Sequence, residues 1–151
     1  MRLLIYTDGA ARGNPGPAGA GAILRDAEGR VVAEIAEPLG RATNNVAEWT
    51  AVLLALEEAR RLGATHVDLR MDSELVARQI SGIYKVKHPD LKPIHAAAME
   101  VLRSLEGYTV GHVPRALNTD ADRLSNVAID GPAARAPDDS TLRRISHSTP
   151  E

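Results

Sequence analysis

Four carboxylates carry the chemistry that this sequence suggests. Asp8 closes an apolar run, Leu3-Leu4-Ile5-Tyr6, which lacks polar alternation, as expected of a strand covered on both faces. Glu48 lies one helical turn before Val52 and two before Ala55, so it points toward the helix face that should pack on a sheet. Asp72 ends another strand just before a helix, and Asp122 falls in the first turn of the last helix. Each has an ordinary explanation when taken alone: a turn aspartate before Gly9, an acid at the exposed edge of a helical stripe, an N-cap, and an acid suited to the helix macrodipole. Taken together they suggest a site. In an open α/β sheet functional groups gather at the ends of central strands, and a helix crossing there could bring Glu48 between Asp8 and Asp72. Carboxylates about 4 Å apart repel by roughly 4 kcal/mol per pair at an effective dielectric near 20, and only protonation or bound cations relieve this. With oxygen donors alone, no cysteine and no histidine cluster, magnesium or manganese is expected in preference to zinc.

The elements that must position these acids follow from periodicity. Strands are expected over 3–7, 19–25 and 31–37, the last two joined as a hairpin by Asp26-Ala27-Glu28-Gly29. Residues 44–62 read as a helix, with Trp49, Val52, Leu53, Leu56 and Ala59 at helical spacing and Gly63 where a C-cap belongs. Val67, Leu69 and Met71 alternate with polar residues as a fourth strand. Helices over 73–81 and 92–105, a strand over 108–112 and a helix over 118–129 complete the order βββαβααβα. That order predicts an α/β fold: a mixed five-stranded sheet with helices on both faces. From Pro132 onward prolines and polar residues are frequent and no apolar periodicity survives, so a mobile tail is expected beyond a single domain at 1–131.

Composition narrows the classes. A chain of 151 residues suits one domain with a sizeable core. Aromatic residues make up 3% and phenylalanine is absent, so that core must be aliphatic and alanine-rich. The absence of cysteine excludes disulfides and thiolate metal sites and fits a reducing compartment. The sequence opens on strand-like residues and holds no apolar run of transmembrane length, which points to a cytoplasmic protein. A net charge of -2 means that any polyanion must be held through a local patch or through metal ions.

Four segments, "TDGAARGNPGPAGAGAI", "ATNNVAEWTAVLLALE", "MDSELV" and "GHVPRALNTDADRLSNVA", cover most of residues 3–130 in an order and spacing that closely resemble type I ribonuclease H. The resemblance implies the ribonuclease H-like fold and hydrolysis of the RNA strand of an RNA/DNA hybrid, leaving 5′-phosphate and 3′-hydroxyl ends. It implies Asp8, Glu48, Asp72 and Asp122 as ligands of two magnesium ions, with manganese an alternative, in a two-metal mechanism. Asp8, central in the cluster, is the natural bridging ligand. His112, ten residues before Asp122, matches a mobile histidine thought to assist the attacking water or product release.

Several further positions match the substrate-binding residues of that family. The "RGNPGP" stretch lacks the Gly-Lys-Ser/Thr ending of a P-loop, and Pro15-Gly16 suits the central pair of a type II turn. There, backbone exposed at Gly13 could read 2′-hydroxyls, as could Asn14, Asn44 and Asn45. Arg41 and Thr43 match a pocket for a DNA phosphate, although an Arg-x-Thr also suits a loop and helix cap. Where some relatives carry a long basic protrusion, this chain has the short "GIYKVKHPDLKP", which holds all three lysines, Lys85, Lys87 and Lys92, as a modest basic patch. Glu74 stands where some relatives place a substrate-contacting glutamine. The expected partner is the hybrid, bound by a monomer with no obligate protein partner. Two other readings remain open on the same fold, a catalytically silent binding module and a nuclease acting on DNA. The presence of all four acids weighs against the first, and the asparagines weigh against the second.

Overall fold

The structure is a computed structural model in which residues 1–131 are described; the tail expected from Pro132 onward lies outside them. Strands β1 (Arg2–Ala11), β2 (Gly16–Arg25) and β3 (Val31–Ala42) form an antiparallel meander. Helix α1 (Asn44–Arg61) then crosses to β4 (His66–Met71), which pairs in parallel with β1. Helices α2 (Glu74–Ile80) and α3 (Lys92–Ser104) lead to β5 (Gly107–His112), parallel to β4, and a short 3-10 turn (Arg115–Leu117) precedes α4 (Thr119–Asp130). The strand order is β3-β2-β1-β4-β5, the mixed five-stranded sheet that the element order predicts.

The alternation of side chains along β1 divides the core. Leu3 and Ile5 join the larger apolar cluster with Trp49, Val52 and Leu56 of α1, and with residues of α2 and α3. Tyr6, on the opposite face, packs beside Ile23, Ala36, Leu124, Val127 and Ala128 under α4. The core is aliphatic and alanine-rich, as the composition requires, and Trp49 is its largest fully buried side chain.

Glycine sets how closely the two acid-bearing helices approach. A Cβ added to Gly9 would lie 2.2 Å from the Ala47 carbonyl carbon and from the Glu48 nitrogen. On the other face a Cβ at Gly21 would lie 2.4 Å from the Ala121 oxygen and the Ser125 nitrogen. Gly21 pairs with Asp8 across the β1–β2 ladder, so α1 and α4 both touch the sheet backbone around Asp8.

The first three strands run further than periodicity indicates. β1 and β2 stay paired to Ala11↔Ala18, and β2 and β3 to Gly16↔Ala42. These extensions consist largely of glycine and alanine, whose weak strand preference gives no local signal; the pairing itself holds them extended. Asp8 therefore does not end β1. It lies one residue past the last β1–β4 pair, Thr7↔Met71, so the end that matters is that of β4. The Pro15-Gly16 turn also differs from expectation. A type II turn needs a positive φ at Gly16, whereas here the positive φ, 108°, falls at Gly13 and Gly16 already begins β2.

Gly9→Ala should destabilise the protein by about 2–3 kcal/mol through overpacking against rigid helix backbone. Gly111→Ala, where the added methyl meets only the Arg70 side chain at 4.0 Å, should change stability little. Urea melts of the two variants test this; equal midpoints would show that α1 can retreat from β1 at no cost.

Candidate active site

The site is built where β4 stops. Beyond Thr7↔Met71, the β4-facing edge of β1 has no partner among the described strands, and its half-exposed amides are open to side-chain acceptors. Helix α1 supplies two. The Gly9 N–H donates to Glu48 Oε1 at 2.5 Å, and the Ala11 N–H donates to Asn44 Oδ1 at 3.1 Å. Four residues of helix rise about 6 Å and two of strand about 6.8 Å, so an i, i+4 pair on α1 matches an i, i+2 pair on β1.

That arrangement brings three acids together. Ligand oxygens of Asp8, Glu48 and Asp72 lie within 4.8 Å of one another, each carried by a different segment. Asp8, 7% exposed, lies near α4, where the Ser125 hydroxyl approaches its Oδ2 at 3.5 Å. The N-cap of α2 is Ser73, whose Oγ accepts from the Val76 N–H at 3.2 Å, so the Asp72 carboxylate is not spent on capping. Asp122 is not part of the three-acid group. It lines the same open cleft, of about 550 Å³, and its side chain meets Asn126 Nδ2 at 3.4 Å and Arg115 at 3.8 Å.

Burial and mutual repulsion show in the acids' proton affinities. Asp8 is pushed from its ordinary 3.8 up to about 9, first by burial, then by the charge of Glu48 and a hydrogen bond with it, with Asp72 and Asp122 adding to the effect. Glu48 rises to about 6 because burial outweighs the hydrogen bonds it receives from Asp8, the Gly9 N–H and Ser73. The hydrogen bond between the two carboxyls raises Asp8 and lowers Glu48, so the pair titrates as a unit that holds one proton strongly. Oxygen-only donors held this close, at the cost of a trapped proton, suit a hard divalent cation.

The remaining expected residues fall into groups. Asn14 and Asn44 interlock: Asn14 Oδ1 accepts from the Asn44 N–H at 3.0 Å, which satisfies an amide in the first turn of α1. Asn45 lines the cleft, and Gly13 sits in the loop closed by the Arg12 N–H donating to the Pro17 carbonyl at 2.7 Å. Thr43 is the N-cap of α1, its Oγ1 accepting from the Val46 N–H, and Arg41 donates to the Pro15 carbonyl at 3.3 Å. His112 ends β5, exposed and outside the cleft lining; Glu74, held below its usual value first by its Arg78 bond, feels the His112 charge least among its influences. Lys85 and Lys87 are exposed on the loop after α2 and do not line the cleft. Buried Gln79 anchors that loop by donating to the Lys85 carbonyl while accepting from Trp49 Nε1 at 2.8 Å.

Sequence reasoning missed Ser73, Ser125, Asn126 and Arg115. Ser125 and Asn126 follow Asp122 by three and four residues, and both donate to its carbonyl oxygen, at 2.8 and 2.9 Å. That spacing on a helix was a readable signal. Nothing in the spacing marks Ser73 or Arg115.

The Asp8 proton makes stability depend on pH. Unfolding releases it, so between about pH 4 and 9 the native state binds more protons than the unfolded one, and stability falls as pH rises. The contribution is complete below the unfolded value and lost on passing the folded one, with a slope of up to about 1.4 kcal/mol per pH unit for one proton. In chelator-treated protein, urea melts from about pH 5 to 8 should show this decline, and Asp8→Asn should flatten it. A wild-type profile that rises or stays level across the range would contradict the trapped proton.

The reverse transcriptase-like family matches residues 6–128. A bifunctional protein of Mycobacterium tuberculosis is 45% identical over 96% of this chain, which spans only 40% of that protein's length. The crystal structure of RNase H1 from the halophilic archaeon Halobacterium salinarum superposes with a TM-score of 0.83 at 45% identity, covering 86% of this chain and 98% of that one. LC11-RNase H1, isolated from compost and solved in complex with an RNA/DNA hybrid, gives a TM-score of 0.80 at 44% identity, covering 85% of this chain and 96% of its own. With a family model over residues 6–128 and an RNase H1 structure matched at 45% identity over nearly its whole length, the chain belongs to the type I ribonuclease H family.

Proposed function

We propose that this chain is an endonuclease that hydrolyses the RNA strand of RNA/DNA hybrids with the help of two magnesium ions. The observation that carries this reading is the meeting of Asp8, Glu48 and Asp72 within 4.8 Å at the open end of the β1–β4 pair. Those three and Asp122 would hold the ions, with Asp8, central and most repelled, shared between them; manganese has the same preference for oxygen. Bound there, the ions would activate a water and stabilise the leaving 3′ oxygen, giving 5′-phosphate and 3′-hydroxyl ends.

The chain's own residues set the substrate. Asn14 and Asn44 spend their carbonyl oxygens on backbone amides, which leaves each NH₂ free to donate to a ribose 2′-oxygen. With Gly13 and Asn45 they would read several consecutive ribonucleotides across a shallow minor groove. Arg41 and Thr43 would meet a phosphate of the DNA strand, and Lys85 and Lys87 a more distant stretch of backbone. His112, exposed at the end of β5, would pass a proton at the margin of the site. LC11-RNase H1 bound to a hybrid supports this choice of partner. No helix among the described residues is long and apolar enough to cross a membrane, and a monomer acting in the cytoplasm fits the cysteine-free composition. A silent binding module is disfavoured because no acid of the four is missing.

One assay with matched hybrid, RNA duplex, DNA duplex, and DNA duplex containing a single ribonucleotide tests the reading. Only the hybrid should be cut efficiently, and Asp8→Asn should bring cleavage below detection. His112→Ala should slow turnover by about 10²-fold while leaving hybrid binding largely intact. Efficient incision at the lone ribonucleotide, or cleavage by Asp8→Asn, would refute the assignments.

A further inference from the structure

Arg115 opens the 3-10 turn between β5 and α4, and its backbone and side chain are held very differently. The backbone is pinned: the Leu117 N–H donates to the Pro114 carbonyl at 2.9 Å and the Asn118 N–H to the Arg115 carbonyl at 3.0 Å. Asn118, 1% exposed, donates from Nδ2 to the carbonyl of Thr7 at 2.9 Å, the residue before Asp8. A tether of three residues therefore fixes Arg115 relative to the acid cluster. Its side chain is 83% exposed yet lines the acid cleft, and its ion pair with Asp122, at 3.8 Å, is too long to be a hydrogen bond. The cleft's other described cation, Arg12, is already engaged with Asn126 at 2.8 Å and Asp130 at 3.2 Å.

We propose that Arg115 contacts a backbone phosphate flanking the cleaved linkage. A guanidinium anchored at its root and unbonded at its tip is placed to receive an anion entering the cleft. Cations drawn to Asp122 would take away its weak partner, while the nucleic acid would bring the phosphate to replace it. The planar fork of arginine pairs bidentately with phosphate oxygens, which a lysine cannot do. This inference rests on the hydrolase reading above and adds a residue to it that neither the four acids nor the lysine patch supplies.

The test is hybrid cleavage by the wild type, Arg115→Ala and Arg115→Lys across a series of potassium chloride concentrations, alongside melting curves with and without magnesium. Arg115→Ala should lower kcat/KM by about 10- to 100-fold at low salt, as loss of one charge-assisted contact would. It should also make log kcat/KM against log salt shallower by about 0.7–0.9, the weight of one phosphate. Arg115→Lys should keep the wild-type slope and recover only part of the rate, and magnesium should stabilise all three proteins. If the wild type cleaves and Arg115→Ala matches its slope, the phosphate contact is wrong. A loss of magnesium stabilisation with an unchanged slope would likewise overturn it, making Arg115 a partner of Asp122 alone. A wild type that leaves the hybrid intact would overturn the hydrolase reading and this contact with it.

Discussion

Everything at the site depends on an edge of β1 that no described strand covers. Where β4 ends at Met71, the Gly9 and Ala11 amides need acceptors, and α1 provides them through Glu48 and Asn44. The first of these bonds is partly buried and the second exposed, and at about 0.5–1.5 kcal/mol each they hold the axial position of the helix on the strand. Gly9, with no side chain, lets the helix come close enough to make the bonds. Glu48 therefore has two tasks. One oxygen completes the fold, while the carboxylate as a whole stands within 4.8 Å of its fellow acids.

This double use explains why the cluster is tolerated. An isolated group of buried acids would separate or take up protons, and here the backbone bonds and the close contacts of α1 and α4 prevent separation. Protonation of Asp8 is the relief that remains without cations. Strain of this kind is common at functional sites, where the surrounding structure over-determines the arrangement. The apolar cluster under α1, with Trp49 fully buried one residue from Glu48, is the part of the fold that resists it.

Much of this was legible in the sequence, for identifiable reasons. Helix α3 and strand β4 carry strong periodicity, α1 is marked more by its length and its Gly63 stop, and the limits of all three fall within a residue or two of expectation. The extended strands β1–β3 were under-read because their added residues are largely glycine and alanine, which give little local strand signal. The four acids were read as one group from supposed strand ends and a helix face; for Asp8 the end that counts is that of the β1–β4 pairing, since β1 itself runs on to Ala11. Asp122 was harder to place: a position in the first turn of α4 does not say how far its side chain stands from the other three. The roles of Ser73 and Arg115 depend on neighbours from other elements, which no local pattern encodes.

The interlocked asparagines have a consequence for transplanting parts of this fold. Asn14 in the loop caps the first turn of α1, and Asn44 in that turn caps β1, so loop, strand and helix each rest on a side chain of another. The loop between β1 and β2 is thus not an exchangeable module in the way most surface loops are. Moved to another scaffold without a matching helix start, it would lose its seat. Moved together with residues 44–48, it would bring its own scaffold, so the smallest portable unit of this site joins two segments some thirty residues apart in the chain.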